Sequence, residues 1–167
     1  MKDYRKERWE DSLAFGQMVE DYVLSRIRKT RPKAFRREGN HPAWDIYVPE
    51  TKTKIEVKSD VRSNKTGNYV IETSYGGRAS AFTTSTADLW CFFNGYKLIW
   101  ITKAGIKKAI KESGRTLKTF RGGTDHKSKT AYLIPEYYIE THSTLIEEPL
   151  TDMPDNFKFG KDGRNER

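Results

Sequence analysis

Two short stretches, Trp44-Asp45-Ile46-Tyr47-Val48 and Lys54-Ile55-Glu56-Val57-Lys58, determine the fold that we expect for this chain. In each stretch apolar residues recur at every second position, which is typical of a half-buried β-strand. Pro49-Glu50-Thr51 lies between them and indicates a turn, so the two strands should form a hairpin. Because side chains alternate across a strand, Glu56 and Lys58 share one face of the second strand.

The hairpin brings a second carboxylate, Asp45, towards Glu56. Hydrolysis of a phosphodiester is commonly assisted by a divalent metal ion, and Mg²⁺ prefers carboxylate and other oxygen ligands. Two neighbouring carboxylates repel each other, and a bound cation offsets that repulsion. A lysine beside them, here Lys58, can orient water or stabilise developing charge. These residues predict a metal-dependent hydrolytic centre; the alternative is a solvent-exposed, salt-bridged hairpin face.

The pattern His41-Pro42-Ala43-Trp44-Asp45, followed after ten residues by Glu56-Val57-Lys58, resembles the PD-(D/E)XK nuclease superfamily. The resemblance implies an α/β domain with a restriction-endonuclease-like core, in which a central mixed β-sheet is flanked by helices. It also implies a further acidic residue on the first helix, for which Glu20 is the natural counterpart. Pro42 departs from the pattern, since two residues separate it from Asp45.

The resemblance assigns roles to four residues. The implied catalytic set is Glu20, Asp45, Glu56 and Lys58. The three carboxylates would bind Mg²⁺, with Mn²⁺ able to substitute, and Lys58 would position the attacking water. By strand alternation Glu72 falls on the face opposite Ile71, and it is a further acidic candidate for a place near this site.

The remaining elements follow from periodicity and from turn signals. An apolar period of three to four residues predicts a helix from Glu10 to Arg28. Further strands are predicted at 68–73, 88–93, 97–102 and 131–134, a helix at 103–112 capped by Thr102, a loop at 113–130 and a helix at 135–145. We expect a single domain over residues 1–148, followed by a weakly ordered tail over residues 149–167.

The charge of the chain indicates a polyanionic partner. Lys and Arg outnumber Asp and Glu by 31 to 23, a net charge of +8. The Ser/Thr-rich segment at 76–88 looks like the substrate-side segment of phage and archaeal Holliday junction resolvases. The predicted loop at 113–130 is rich in basic residues. The expected DNA contacts are Arg78, Ser80, Thr83, Thr84 and Ser85 in the segment, and Arg115, Lys118, Arg121 and Lys127 in the loop. The alternatives are a connection with helix-capping hydroxyls and a solvated loop.

Together these features predict a Mg²⁺-dependent, structure-specific DNA endonuclease. By resemblance it would be a Holliday junction resolvase that cleaves branched DNA as a homodimer. A restriction-type or general DNA endonuclease and a non-catalytic DNA-binding protein with a nuclease fold remain alternatives. The N-terminus lacks the apolar core of a signal peptide, and no apolar stretch is long enough to span a bilayer. We therefore expect no membrane partner and a cytoplasmic location, in a bacterial, archaeal or virus-infected cell.

Overall fold

The chain folds around a central sheet of six strands and a second sheet of four. The computed structural model describes residues 4–39, 41, 43–121, 127–154 and 157. The helices are α1 (Tyr4–Arg28), α2 (Ser63–Thr66), α3 (Lys103–Ser113) and α4 (Glu136–Thr141). The strands are β1 (Phe35–Arg36), β2 (Ile46–Val48), β3 (Thr53–Ser59), β4 (Asn68–Tyr75), β5 (Arg78–Ala79), β6 (Leu89–Phe93), β7 (Leu98–Thr102), β8 (Lys118–Phe120), β9 (Lys129–Pro135) and β10 (Leu145–Glu147).

The central sheet is mixed, as predicted. Its strand order is β1-β2-β3-β6-β7-β10. The hairpin of β2 and β3 forms with Ile46 opposite Ile55, and β3 then pairs in parallel with β6, with Glu56 opposite Trp90. The other pairings within this sheet are antiparallel. The predicted interior strand is confirmed, because β6 lies between β3 and β7 and is buried from Trp90 to Phe93.

Helix α1 covers one face of the central sheet. Its residues Val19 and Val23 are fully buried and pack in one cluster with Val57, Cys91 and Phe93. The apolar stripe of the helix therefore meets the apolar alternation of β3 and β6. The helix begins at Tyr4 rather than at Glu10. No helix within the described ranges is long and apolar enough to cross a membrane.

The other face of the central sheet is covered by the second sheet, whose order is β5-β4-β9-β8. Tyr69 and Ile71 of β4 are buried with Trp90 and Phe92 of β6 and with Ile106 of α3. The strand predicted at 68–73 is present as β4, but it pairs with β9 above the central sheet rather than continuing the hairpin of β2 and β3. In the central sheet the third strand next to the hairpin of β2 and β3 is β1, which pairs antiparallel with β2. Its two residues are too few to show an alternation in the sequence.

The region after α3 contains more strand than predicted. The Thr102 side chain caps α3 by accepting a hydrogen bond from the Gly105 amide at 3.0 Å, which confirms the predicted cap. The predicted loop at 113–130 contains β8, which pairs with β9. The predicted helix at 135–145 ends at Thr141, and β10 follows and pairs with β7. Both short strands owe their structure to a partner strand rather than to their own pattern.

The described residues of the tail 149–167 pack against α1. Leu150 and Phe157 are buried in the cluster beneath that helix. The Phe157 ring lies 5.4 Å from the ring of Tyr22, edge to face. Asp152 accepts hydrogen bonds from the Tyr22 hydroxyl at 2.8 Å and from the Lys29 ammonium at 2.8 Å. Burial and charge pairing thus hold this part of the tail, and the remainder of 149–167 lies outside the described residues.

Candidate active site

Asp45 and Glu56 lie side by side where the hairpin begins. The Asp45 amide donates to the carbonyl of Ile55 at 2.9 Å, and its Oδ2 accepts from the amide of Val57 at 2.8 Å. Asp45 is therefore held through its amide and its carboxylate against the backbone on either side of Glu56. Glu56 itself is only 5% exposed.

The electrostatics of Asp45 reflect this position. Burial, followed by the negative charge of Glu56 and then that of Glu20, raises the pKa of Asp45 to about 7. The Val57 amide and the Lys58 ammonium act in the opposite direction and do not cancel the rise. A carboxylate pair that resists full ionisation attracts cations, because a cation relieves the repulsion within the pair.

Lys58 is the cation already paired with this centre. Its Nζ lies 2.8 Å from Oε1 of Glu56. Burial acts to lower the pKa of Lys58, but the charge and hydrogen bond of Glu56, with the charges of Asp45 and Glu72, outweigh it and hold the pKa above its ordinary value. The lysine therefore stays charged at neutral pH. Its ammonium also lies 5.9 Å from the centroid of the Trp90 ring.

Glu20 faces the same region from α1 but has another partner. Arg36 Nη1 lies 3.3 Å from Oε2 of Glu20. Burial is the main reason that the pKa of Glu20 is raised, while Arg36 and Lys58 both act to lower it. Among the described residues, no group of three or more His, Cys, Asp or Glu side chains is placed to hold a metal ion. The described geometry thus brings Asp45, Glu56 and Lys58 together, whereas Glu20 interacts with Asp45 only through its charge.

The Ser/Thr-rich segment lies across the Glu56 side of the sheet. Ser85 is buried, and its Oγ lies 3.3 Å from Oε2 of Glu56 and 3.1 Å from the carbonyl oxygen of Ala43. Lys103, at the start of α3, donates to the carbonyl of Ser85 at 2.7 Å, and its ammonium lies 5.1 Å from the ring centroid of Phe82. Both contacts join residues distant in sequence, so no local pattern reveals Lys103 as a neighbour of the site.

The other hydroxyls of the segment also make internal hydrogen bonds. Ser80 donates to Oε1 of Glu72 at 2.6 Å, and Thr83 donates to the carbonyl of Thr73 at 2.8 Å. Thr84 makes a longer contact, 3.4 Å, to the carbonyl of Ala81. Arg78, on β5, is exposed. The hydroxyls predicted to contact DNA therefore hold the segment in place, and of these five residues Arg78 and Thr83 are exposed.

Glu72 links the site to the second sheet. One of its carboxylate oxygens accepts from Ser80, and the other lies 3.5 Å from Nζ of Lys129. Its charge also acts on Lys58. The expectation that Glu72 lies near the site agrees with this arrangement. Lys129 belongs to the predicted basic loop at 113–130, but the structure places it on β9, where it pairs with Glu72 rather than standing free for DNA.

The predicted basic loop places four exposed cations on and around the second sheet. They are Arg115 after α3, Lys118 on β8, Arg121, and Lys127 before β9. The Lys127 ammonium lies 5.6 Å from the centroid of the Tyr75 ring. These four basic residues therefore lie on or next to strands of the sheet that carries Glu72.

No family model, curated protein or solved structure matches the chain.

Proposed function

We propose that this protein is a metal-dependent nuclease that hydrolyses phosphodiester bonds in DNA. The observation that carries the proposal is the adjacent pair of half-buried Asp45 and buried Glu56, with the Lys58 ammonium 2.8 Å from Glu56. Taking two adjacent carboxylates out of water, even in part, is unfavourable unless a cation accompanies them. One lysine for two carboxylates leaves room for a further positive charge.

The two carboxylates fit a Mg²⁺ ion. Mg²⁺ usually binds through one or two carboxylates and completes its coordination with water and substrate phosphate. Asp45 uses Oδ2 to accept the Val57 amide, which leaves Oδ1 as a ligand. Glu56 would join it by exchanging its contact with Lys58 or Ser85. When bound, the ion supplies Lewis-acid stabilisation and lowers the pKa of bound water; Mn²⁺ would serve similarly.

The side chains around the two carboxylates would each have a separate role in binding or positioning. Lys58, charged at neutral pH, would donate to a phosphate oxygen or orient the attacking water. Ser85 would hold Glu56 in place, and Lys103 would hold Ser85. Glu20 would complete the site or hold a second cation after leaving Arg36, which lies at the long distance of 3.3 Å.

DNA is the substrate class that the charge of the protein favours. The net charge is +8, and Arg115, Lys118, Arg121 and Lys127 are exposed. The order of α1, three antiparallel strands and a parallel strand β6 supports a restriction-endonuclease-like core. Within that class we propose a structure-specific enzyme, a Holliday junction resolvase that acts as a homodimer. This finer assignment rests on the resemblance of the motif and on analogy.

The proposal is tested by cleavage of a four-way DNA junction and of a linear duplex of the same sequence, with Mg²⁺ or with a chelator. We expect Mg²⁺-dependent cleavage that is lost in Asp45→Asn and Glu56→Gln. Glu50→Gln, at an exposed carboxylate in the turn of the same hairpin, is the matched control and should cleave normally. Cleavage that survives both site substitutions would overturn the assignment. Equal cleavage of junction and duplex would instead favour a restriction-type or general endonuclease.

A non-catalytic DNA-binding protein is the second candidate. The observation in its favour is that Glu56 already has two partners, Lys58 and Ser85, without a metal. This candidate predicts binding that weakens steeply with salt, no cleavage with Mg²⁺ or Mn²⁺, and no change in thermal stability when either ion is added.

A further inference from the structure

Three aromatic side chains cluster at the β1–β2 edge of the central sheet. Phe35 of β1 pairs with Tyr47 of β2, and their ring centroids lie 5.7 Å apart. Trp44 lies 6.2 Å from Phe35 and 5.7 Å from Tyr47. We call Phe35, Trp44 and Tyr47 the aromatic cluster.

The aromatic cluster lies beside the carboxylate pair and on the same face of the sheet. Tyr47 is two residues beyond Asp45, and alternate residues of an extended chain point to one face. Phe35 shares that face because it lies directly opposite Tyr47. Ile46, between Asp45 and Tyr47, is fully buried on the α1 side.

The cluster leaves one ring open to solvent. Phe35 is 42% exposed, whereas Trp44 and Tyr47 are half-buried. Edge-to-face contacts with Trp44 and Tyr47 support the Phe35 ring from two sides. An exposed ring supported in this way next to a polar site is a surface on which a planar ligand can stack.

One cation contacts the cluster, and two more precede it in the chain. The guanidinium carbon of Arg37 lies 4.6 Å from the centroid of the Trp44 ring, and the Arg37 amide donates to the Asp45 carbonyl at 2.9 Å. Arg31 and Lys33, in the connection that leads into β1, are exposed. A ring available for stacking with basic side chains around it is the combination that binds single-stranded nucleic acid, since every base offers a flat face. In a duplex those faces are stacked inside the helix.

We propose that the aromatic cluster is a stacking platform for an unpaired nucleotide, with Phe35 as the contacting ring. The inference rests on the proposed nuclease function and specifies its substrate: DNA with unpaired nucleotides next to the phosphate that lies at Asp45 and Glu56. Such nucleotides occur at flaps, at frayed ends and at junctions whose branch point has opened. Arg37 would neutralise the neighbouring phosphate and keep Trp44 in place.

The test measures equilibrium binding in a chelator, so that cleavage plays no part. The probes are a short fluorescent single strand of mixed sequence, the same strand with abasic sugars replacing several nucleotides, and the matching duplex. The variants are Phe35→Ala, Phe35→Trp and, as an aromatic control at a site 71% exposed on α4, Tyr137→Ala. Thermal melting of each variant shows whether it is folded.

We expect Phe35→Ala to weaken binding of the single strand about tenfold, the lower part of the range for stacking one base. Binding of the abasic strand and of the duplex should change little. Phe35→Trp should retain the affinity of the wild type, and Tyr137→Ala should have no effect. A folded Phe35→Ala variant that binds the single strand normally, or that loses the abasic strand equally, overturns the platform. So does a wild-type protein that binds no single strand at low salt.

Two further outcomes separate this inference from the proposed function. Phe35-dependent binding without any Mg²⁺-dependent cleavage would support the platform and contradict the nuclease. Asp45-dependent cleavage with no contribution of Phe35 to binding would support the nuclease and contradict the platform. If Phe35→Ala converts a dimer into a monomer without changing the affinity for the single strand, the aromatic cluster is a subunit interface and the platform is wrong.

Discussion

The amide of Val57 donates a hydrogen bond to Oδ2 of Asp45 at 2.8 Å, across the two strands of the central hairpin. This bond orients the Asp45 carboxylate beside Glu56, although the two negative charges repel. The hairpin backbone thus holds a like-charged pair that the side chains alone would separate.

Replacing Asp45 by Asn should stabilise the metal-free protein while removing its response to metal. The amide keeps the shape of the side chain and removes the half-buried charge of Asp45 beside the buried charge of Glu56, so we expect a gain on the order of 1 kcal/mol in a chelator at slightly alkaline pH. The wild type should melt at a higher temperature on addition of Mg²⁺, and the variant should not. Differential scanning calorimetry with and without Mg²⁺ measures both effects. A variant that Mg²⁺ stabilises as strongly as the wild type would show that Asp45 is not a ligand.

Removing the charge of Lys58 should destabilise the fold through Glu56. Lys58→Met leaves the buried Glu56 carboxylate without its cation, and we expect a loss of about 2 kcal/mol, below the range for fully buried pairs because Lys58 is partly exposed. The double variant with Glu56→Gln should recover most of that loss. Urea unfolding of the four proteins gives the coupling energy. Simple additivity of the two single changes would contradict the ion pair. Neither Lys58→Met nor the double variant should cleave DNA.

Ser85 should affect the site more than its neighbour Thr83. Ser85→Ala removes the hydroxyl beside the buried Oε2 of Glu56, and we expect a cost of about 1 kcal/mol in stability together with slower cleavage. Thr83→Ala removes an exposed hydroxyl that bonds only to the carbonyl of Thr73 and serves as the matched control. Cleavage rates at saturating DNA distinguish the two. Equal rates in both variants would argue against a positioning role for Ser85.

The contact of Asp152 with α1 should make stability depend on acid pH. A hydrogen bond from Lys29, assisted by Tyr22 and by the charge of Arg26, lowers the pKa of Asp152 to about 2. A carboxylate whose pKa is lowered by folding stabilises the folded state above its ordinary value, near 4, and this contribution is lost as the pH falls towards 2. Asp152→Asn should therefore cost about 0.5–1 kcal/mol at pH near 7, since the group is partly exposed, and almost nothing near pH 2.

Chemical denaturation at several pH values measures that difference. Lys29→Met is the companion variant, because it removes the main cause of the lowered pKa and should shrink the effect of Asp152→Asn. A difference between wild type and Asp152→Asn that is the same at every pH would contradict the contact. Because Asp152 is one of the described residues of the tail, the same difference tests whether the tail contacts α1.

Much of the hairpin could be predicted because its signal is local. Alternation over a few residues indicates on which side of a strand a side chain lies, and it correctly grouped Glu56 with Lys58. The place of β4 could not be predicted in this way. Its Tyr69 and Ile71 alternate as they would in any half-buried strand, and only the available apolar surface on β6 and β7 decides that they pack above the central sheet.

By itself, the sequence determined the mixed α/β character, the hairpin and the shared face of its charged residues, since these follow from the periodicity of the backbone. Only the tertiary structure decided how deeply Glu56 is buried, that Ser85 lies against it, and that Arg36 pairs with Glu20. The tertiary structure also decided that the pKa of Asp45 is raised. Desolvation depends on which distant segments cover a side chain, and that covering is set by the packing of whole sheets and helices rather than by neighbours in the chain.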